Sequence, residues 1–181
     1  MVKIVLRMDD CDPRIDVTLL KCLHAEFLKR NIPMTVCVNN AMGHRIGFDQ
    51  AVLDYVNKET PAESWDIQLH TFNHERLWAC PLPEIYMNIY ANLGLTKRDF
   101  PRSNPTILYL PWNETSPNIE QVAQELGLIV NNSRLTMREL LWSGREDKDC
   151  FFWHWWDKEE QKNLPQALDR LVELNKSRGF I

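Results

Sequence analysis

Three clusters in this 181-residue chain have the residue types and spacing of a reactive site: Asp9-Asp10, the pair His70 and His74, and His154. Two histidines four apart meet on one side of a helical turn. With one carboxylate they supply three nitrogen and oxygen ligands and leave positions on a divalent metal open for water and substrate. A closed structural zinc needs four ligands, and the five cysteines, Cys11, Cys22, Cys37, Cys80 and Cys150, are scattered without a Cys-x-x-Cys pair. Read without a metal, His70 caps a strand, His74 sits in a solvated turn, and the two aspartates cap a helix. The adjacent carboxylates favour the metal, because two like charges side by side ionise together only with a cation between them. One Asp then coordinates the ion while the other takes a proton from water whose pKa the ion has lowered. Asp12 competes for either role, although Asp12-Pro13 ahead of helical spacing reads as a turn and helix start.

His154 lies in Phe151-Phe152-Trp153-His154-Trp155-Trp156. Apolar surroundings lower an imidazole pKa and a neighbouring carboxylate raises it, so this residue reads either as a poised general acid or as a core histidine bonded to backbone. Trp112, Trp153, Trp155 and Trp156 fill a core or offer flat faces to sugar rings. Arg7, Pro111, Trp112, Asn113 and Trp155 are the candidate substrate contacts. Cys11 reads as a small buried residue rather than a nucleophile. His24, within a helix, and His44, in a Gly-flanked loop, read as solvent-facing or incidental, and Arg145-Glu146-Asp147-Lys148-Asp149 as a solvated loop.

Strand-like and helix-like segments alternate around these residues. Short apolar or β-branched runs at Val2–Met8, Met34–Val38, Trp65–Leu69, Thr106–Leu110, Leu128–Val130 and Cys150–Trp155 predict buried strands. Ile15, Leu19, Leu23 and Phe27 line one helical stripe, and Phe48, Val52, Tyr55 and Val56 a shorter one. Ser116-Pro117 reads as an N-cap with Pro at the first helical position, Ile119, Val122, Ala123 and Leu126 as the apolar face, and Gly127 as the C-terminal cap. A last helix carries Leu164, Leu168, Leu171 and Val172, with Gly179 beyond it. Repeated β-then-α order predicts an α/β fold with a mainly parallel sheet, open or closed into a barrel, with functional residues at the carboxyl ends of the strands. The Asp pair, His70 to His74, Pro111 to Glu114 and His154 all fall there.

Length predicts a single domain over 1–181, and 44% hydrophobic with 25% charged residues predicts a packed core. Lys+Arg 21 against Asp+Glu 25 leaves a net charge of −4 with no basic run, so neither nucleic acid nor an anionic membrane is an expected partner. Unpaired cysteines and the lack of an export signal in this chain predict a cytoplasmic location.

Asp-Asp after the first strand, His-Thr-x-x-His after a later one, a Pro-aromatic pair and a lone His at the last strand together resemble the polysaccharide deacetylase family with the NodB homology domain. Met8-Asp9-Asp10 and His70-Thr71-Phe72-Asn73-His74 carry the resemblance most specifically, and it spans Arg7 to Trp156. It implies an irregular (β/α) barrel and metal-assisted hydrolysis of an N-acetyl amide on a sugar or related small molecule. Asp9 is then the catalytic base, Asp10, His70 and His74 the metal ligands, and His154 the general acid. Zinc is the metal it implies first, with cobalt, manganese, nickel or iron as alternatives. Two departures stand out. The family's third motif places an Arg two residues before the Pro to hold the base, and here that position is Tyr109; Arg7, two residues before Asp9 on the same strand, is the expected substitute. The Asp motif that orients the catalytic His is not visible between Asn131 and Trp142, which leaves Asn131 or Glu114 as candidates. Two further readings follow from the same residues: a barrel that binds a sugar or acyl ligand without turnover, and a non-heme iron enzyme using Asp-His-His.

Overall fold

In the computed structural model, residues 3–142 and 148–180 are described. The chain runs β1 (Val5–Cys11), α1 (Val17–Leu28), β2 (Met34–Val38), β3 (Ala41–Met42), β4 (Arg45–Ile46), α2 (Gln50–Asp54), β5 (Trp65–Leu69), α3 (Leu82–Asp99), β6 (Ile107–Tyr109), α4 (Pro117–Glu125), β7 (Ile129–Asn131), α5 (Met137–Trp142), β8 (Cys150–His154) and α6 (Lys158–Ser177). Six strands form one parallel sheet in the order β7-β6-β5-β2-β1-β8, and β3 and β4 make a small separate hairpin. Parallel neighbours require crossovers, and the helices supply them.

Side-chain alternation divides the sheet into two faces. Leu6 and Met8 of β1, Met34, Val36 and Val38 of β2, and Phe151 and Trp153 of β8 belong to the larger core beneath α1, α5 and α6. Leu164, Ala167, Leu168, Leu171 and Leu174 fill it from α6, each large side chain contributing about 1.5–3 kcal/mol by leaving water. Leu69, Leu108 and Leu110 pack in a second cluster with Ile85, Ile89 and Leu93 of α3 and Ile119, Val122 and Ala123 of α4. The other face carries Arg7, Asp9, Cys37, Tyr109 and Cys150, all buried.

That second face is concave and incompletely closed. Among the described residues no ladder joins the edge strands β7 and β8. Instead the stretch after β7 folds in: Phe152 N donates to Leu135 O at 2.9 Å, Thr136 bridges Phe152, and Ser133 Oγ donates to Cys150 O at 2.6 Å. The expected α/β architecture is therefore present as a curled half-barrel.

Several elements depart from the sequence expectation. β1 starts later than predicted and continues through the Asp pair to Cys11, with an irregular register between Met8 and Cys11 and a left-handed Asp10 (φ 56°); Val2 lies outside the described residues. Helix α1 begins at Val17 on an Asp16 cap, so Ile15 is buried ahead of it and the buried stripe is Leu20, Leu23, His24 and Phe27. His24 is fully buried rather than solvent-facing, stacked on Trp65 with ring centroids 3.9 Å apart. α3 was not anticipated, because Asn88, Asn92, Thr96 and Asp99 occupy its buried face and dilute the apolar stripe. α4 follows its prediction: Ser116 caps Ile119 N, Pro117 opens the helix and Gly127 takes φ 72°. Of the charged run 145–149, only exposed Lys148 and Asp149 lie within the described residues. No helix among the described residues is long and apolar enough to cross a membrane.

Candidate metal centre and catalytic cleft

The bulge in β1 separates the two aspartates. Asp9 keeps the strand alternation and lies with Arg7 on the concave face, whereas the left-handed backbone of Asp10 swings its carboxylate to the rim. Trp155 Nε1 donates to Asp10 O at 2.6 Å and Trp156 Nε1 to Asp10 Oδ2 at 3.2 Å, which fixes the group from the chain beyond β8. Oδ1 is left facing two imidazoles, 3.1 Å from His70 Nε2 and 3.0 Å from His74 Nε2.

The histidines are not on a helical turn. His70 follows β5 directly, and the segment bends through Thr71 (φ 120°) to His74 (φ 59°). Its backbone is held from two elements. Asn39 Nδ2 donates to Thr71 O at 2.8 Å, and Phe72 N donates to Asn88 Oδ1 of α3 at 2.8 Å. Asn88 Nδ2 in turn donates to Asn73 Oδ1 and Glu75 Oε2. His70 Nδ1 lies 2.8 Å from Tyr109 O. A carbonyl only accepts, so Nδ1 carries the proton and the Nε2 lone pair points at Asp10.

These three residues fit a divalent cation. One carboxylate oxygen and two imidazole nitrogens lie within 4.8 Å of one another. Ligand atoms around a tetrahedral zinc sit roughly 3.3 Å apart, close to the two oxygen–nitrogen separations here. Asp10 Oδ1 is buried without a hydrogen-bond donor aligned on it, which a cation would satisfy. Burial alone would raise the Asp10 carboxyl, but hydrogen bonds and positive charge from His70 and His74 in their protonated forms outweigh burial and hold it well below the ordinary carboxylate range; a cation in place of those protons would act in the same sense.

Asp9 is clamped from behind. Arg7 Nε donates to Asp9 Oδ1 at 2.8 Å and Nη2 to Oδ2 at 3.0 Å, a two-pronged pair, and Nη2 also donates to Asn113 Oδ1 at 3.0 Å. The guanidinium lies 4.3 Å from the Tyr109 ring centroid and 5.3 Å from that of Phe152. Tyr109, standing at the position where the family's Arg was expected, is thus a flat surface under the Arg7 that reaches Asp9 instead.

Opposite the metal ligands, His154 N donates to Glu160 Oε2 at 2.6 Å and His154 Nδ1 lies 3.2 Å from the same oxygen. Burial lowers the His154 pKa, but Glu160, with the charges of Asp10 and Asp9, outweighs burial and leaves it raised. Neither Asn131 nor Glu114 takes this place: Asn131 Oδ1 accepts from Ser133 N at 3.0 Å. Glu160 was missed because it lies across the strand–helix junction, in the third position after the Asp157 cap, where a capping role is the ordinary reading.

Asp9, Asp10, His70, His74 and His154 line one cleft of about 280 Å³, together with Trp112, Asn113, Phe152 and Trp156. Trp112 stands edge-on to His74 at 4.5 Å and Trp156 stacks on His154 at 4.8 Å, so exposed indoles flank the ligands on both sides. Three candidate substrate contacts fall elsewhere. Arg7 is fully buried behind Asp9, and buried Pro111 opens the turn carrying left-handed Trp112 and Asn113. Trp155 lines an adjoining hollow with Arg14 and Met42 instead. Asp12 is buried and paired with Arg14 at 2.7 Å, away from the cleft.

No family model matches the sequence, and no curated protein matches it. Solved structures do match, over nearly the whole chain. The chitin deacetylase from the fungal pathogen Colletotrichum lindemuthianum superposes with a TM-score of 0.74 at 14% identity, over 96% of this chain and 85% of that one. The chain has the fold of the family 4 carbohydrate esterases. A family 4 acetyl xylan esterase from Clostridium thermocellum, in complex with a cobalt ion, gives 0.69 at 19% identity over 97% and 84%. A pseudoenzyme of the same family from Bacillus anthracis gives 0.68 at 10% over 94% of this chain and 61% of that one. The resemblance drawn from the Asp pair and the His-Thr-x-x-His segment holds at the level of fold.

Proposed function

We propose that this chain is a metal-dependent hydrolase that removes an acetyl or related acyl group from an N-acylated sugar or similar amide. The observation that carries the reading is the convergence of Asp10, His70 and His74 with Asp9 on one side and His154 on the other in a single cleft. Asp10, His70 and His74 would hold the cation, zinc first among the candidates, which supplies an activated water and stabilises negative charge on the carbonyl oxygen. Asp9, held by Arg7, receives the proton that the attacking water loses. His154 gives its Nε2 proton to the amine nitrogen as the carbon–nitrogen bond breaks and that nitrogen takes the bonding pair. Trp112 and Trp156 offer faces to the sugar ring. The free cysteines suit a reducing compartment and a small cytoplasmic substrate.

Tyr109 at the expected Arg position favours a second reading, a barrel that binds such a ligand without turnover. Arg7 supplies the missing contact to Asp9 and tips the balance to an enzyme. The test is acetate release from N-acetylglucosamine and its short oligomers by zinc-loaded protein, with and without chelator. Chelator-sensitive release that Asp9→Asn abolishes while metal stays bound supports the hydrolase; bound metal with no release from any N-acyl compound supports the binder.

A further inference from the structure

We propose that Glu160 is the positioning residue of His154: one carboxylate oxygen, delivered by the first turn of α6, fixes the imidazole so that Nε2 presents its proton to the cleft. The inference rests on the hydrolase reading for its catalytic meaning, but its geometry stands alone. Glu160 Oε2 accepts from the backbone N of His154 at 2.6 Å and faces its Nδ1 at 3.2 Å. A single oxygen shared between main chain and ring of the same residue restricts both the position of the strand end and the rotation of the side chain. A carboxylate accepts only, so Nδ1 carries a proton in the neutral ring as well as in the charged one.

The carboxylate is built into the fold. Asp157 caps α6 by accepting from Glu159 N and Glu160 N, and its own N donates to His154 O at 3.2 Å. In an ordinary capping box the third helical residue reaches back to the backbone N–H of the cap. Here it reaches three residues further, to the last residue of β8. Glu160 is buried, with 7% of its side chain exposed, so its charge acts on His154 with little screening by water. Exposed Glu159 next to it points to solvent and makes no such contact. The other charged groups that face His154 are Asp9 and Asp10 of β1, the first already neutralised by Arg7 and the second committed to the histidine pair. Among the described residues, Glu160 is thus the one carboxylate whose geometry serves the imidazole.

Nitrogen-15 NMR of the zinc-loaded protein and of the metal-free protein reads the tautomer directly. Neutral His154 is expected as the Nδ1–H form, opposite to the preference of a free imidazole side chain. Glu160→Ala, with its fold checked by circular dichroism, is expected to lose that preference and to lower kcat about 100-fold with KM within about 3-fold. Glu160→Gln keeps an acceptor without the charge; it is expected to lower kcat about 10-fold and to move the alkaline limb of the pH–rate profile to lower pH. Glu159→Gln is the control and leaves all of these unchanged. An Nδ1–H tautomer retained in Glu160→Ala, or a kcat within 2-fold of the parent, overturns the proposal. The tautomer reads out whether or not the protein turns over an amide, so failure of the hydrolase reading appears separately, as wild-type protein that releases no acetate.

Discussion

At the scale of single residues, Arg7 shows how a missing side chain is replaced from another strand. A fully buried guanidinium and a nearly buried carboxylate are each costly to desolvate, and only their two-pronged contact, with Asn113 and the Tyr109 ring completing the shell, makes the pair tolerable. Arg7→Ala leaves the Asp9 charge buried and unpaired and should cost about 3–5 kcal/mol in urea unfolding. Arg7→Lys keeps a positive charge but loses the fork; it should fold and lower kcat at least about 10-fold, with an altered acid limb of the pH–rate profile. Unchanged activity and pH profile in Arg7→Lys would show that Asp9 needs no tether from β1. This tether was legible in the sequence, since Arg7 and Asp9 alternate on one strand. Glu160 was not, because nothing in a one-dimensional spacing says that the first turn of α6 folds back onto the end of β8.

At the scale of elements, the His70–His74 segment and α3 explain each other. The four-residue spacing suggested a helical turn, but the segment is an irregular bend with two left-handed or extended-positive residues, and local propensity does not hold it there. Asn88 on α3 does, accepting from Phe72 N and donating to Asn73 and Glu75. Four residues on, Asn92 ties the same helix to β2: its Nδ2 donates to Val38 O and its Oδ1 accepts from Asn40 Nδ2. The polar face that hid α3 from a hydrophobic-period reading is therefore the face that supports the metal ligands. Asn88→Ala should weaken zinc affinity about 10- to 100-fold in a competition titration, with only a modest loss of stability. An unchanged affinity would mean that the His74 bend is held without α3.

At the scale of the molecule, the parallel α/β architecture and the gathering of site residues at strand ends were legible in outline, because short strand-like runs alternate with helical ones and β2, buried along its whole length, reads as a central strand. Closure was not, since it depends on the stretch after β7 folding against β8 rather than on any strand signal. The acid stability of the whole fold carries one specific signature. Burial pushes His24 down to about 4, against the hydrogen bond to Ser64 O that opposes it. The fold therefore prefers neutral His24: its contribution is complete above the unfolded value near 6.5 and is lost as pH falls from there through 4, an effect on the order of 2–3 kcal/mol. His24→Phe should flatten that part of the stability curve in urea titrations between pH 7 and 4. An identical slope in both proteins would assign the acid loss to other groups.

Hydrolysis in this cleft requires that Asp10, His70 and His74 hold a divalent cation. Calorimetric titration of zinc into metal-stripped protein, beside His70→Ala, tests this most directly. One equivalent bound by the parent protein and none by the variant is the predicted result; no binding by the parent, or equal binding by both, would contradict it.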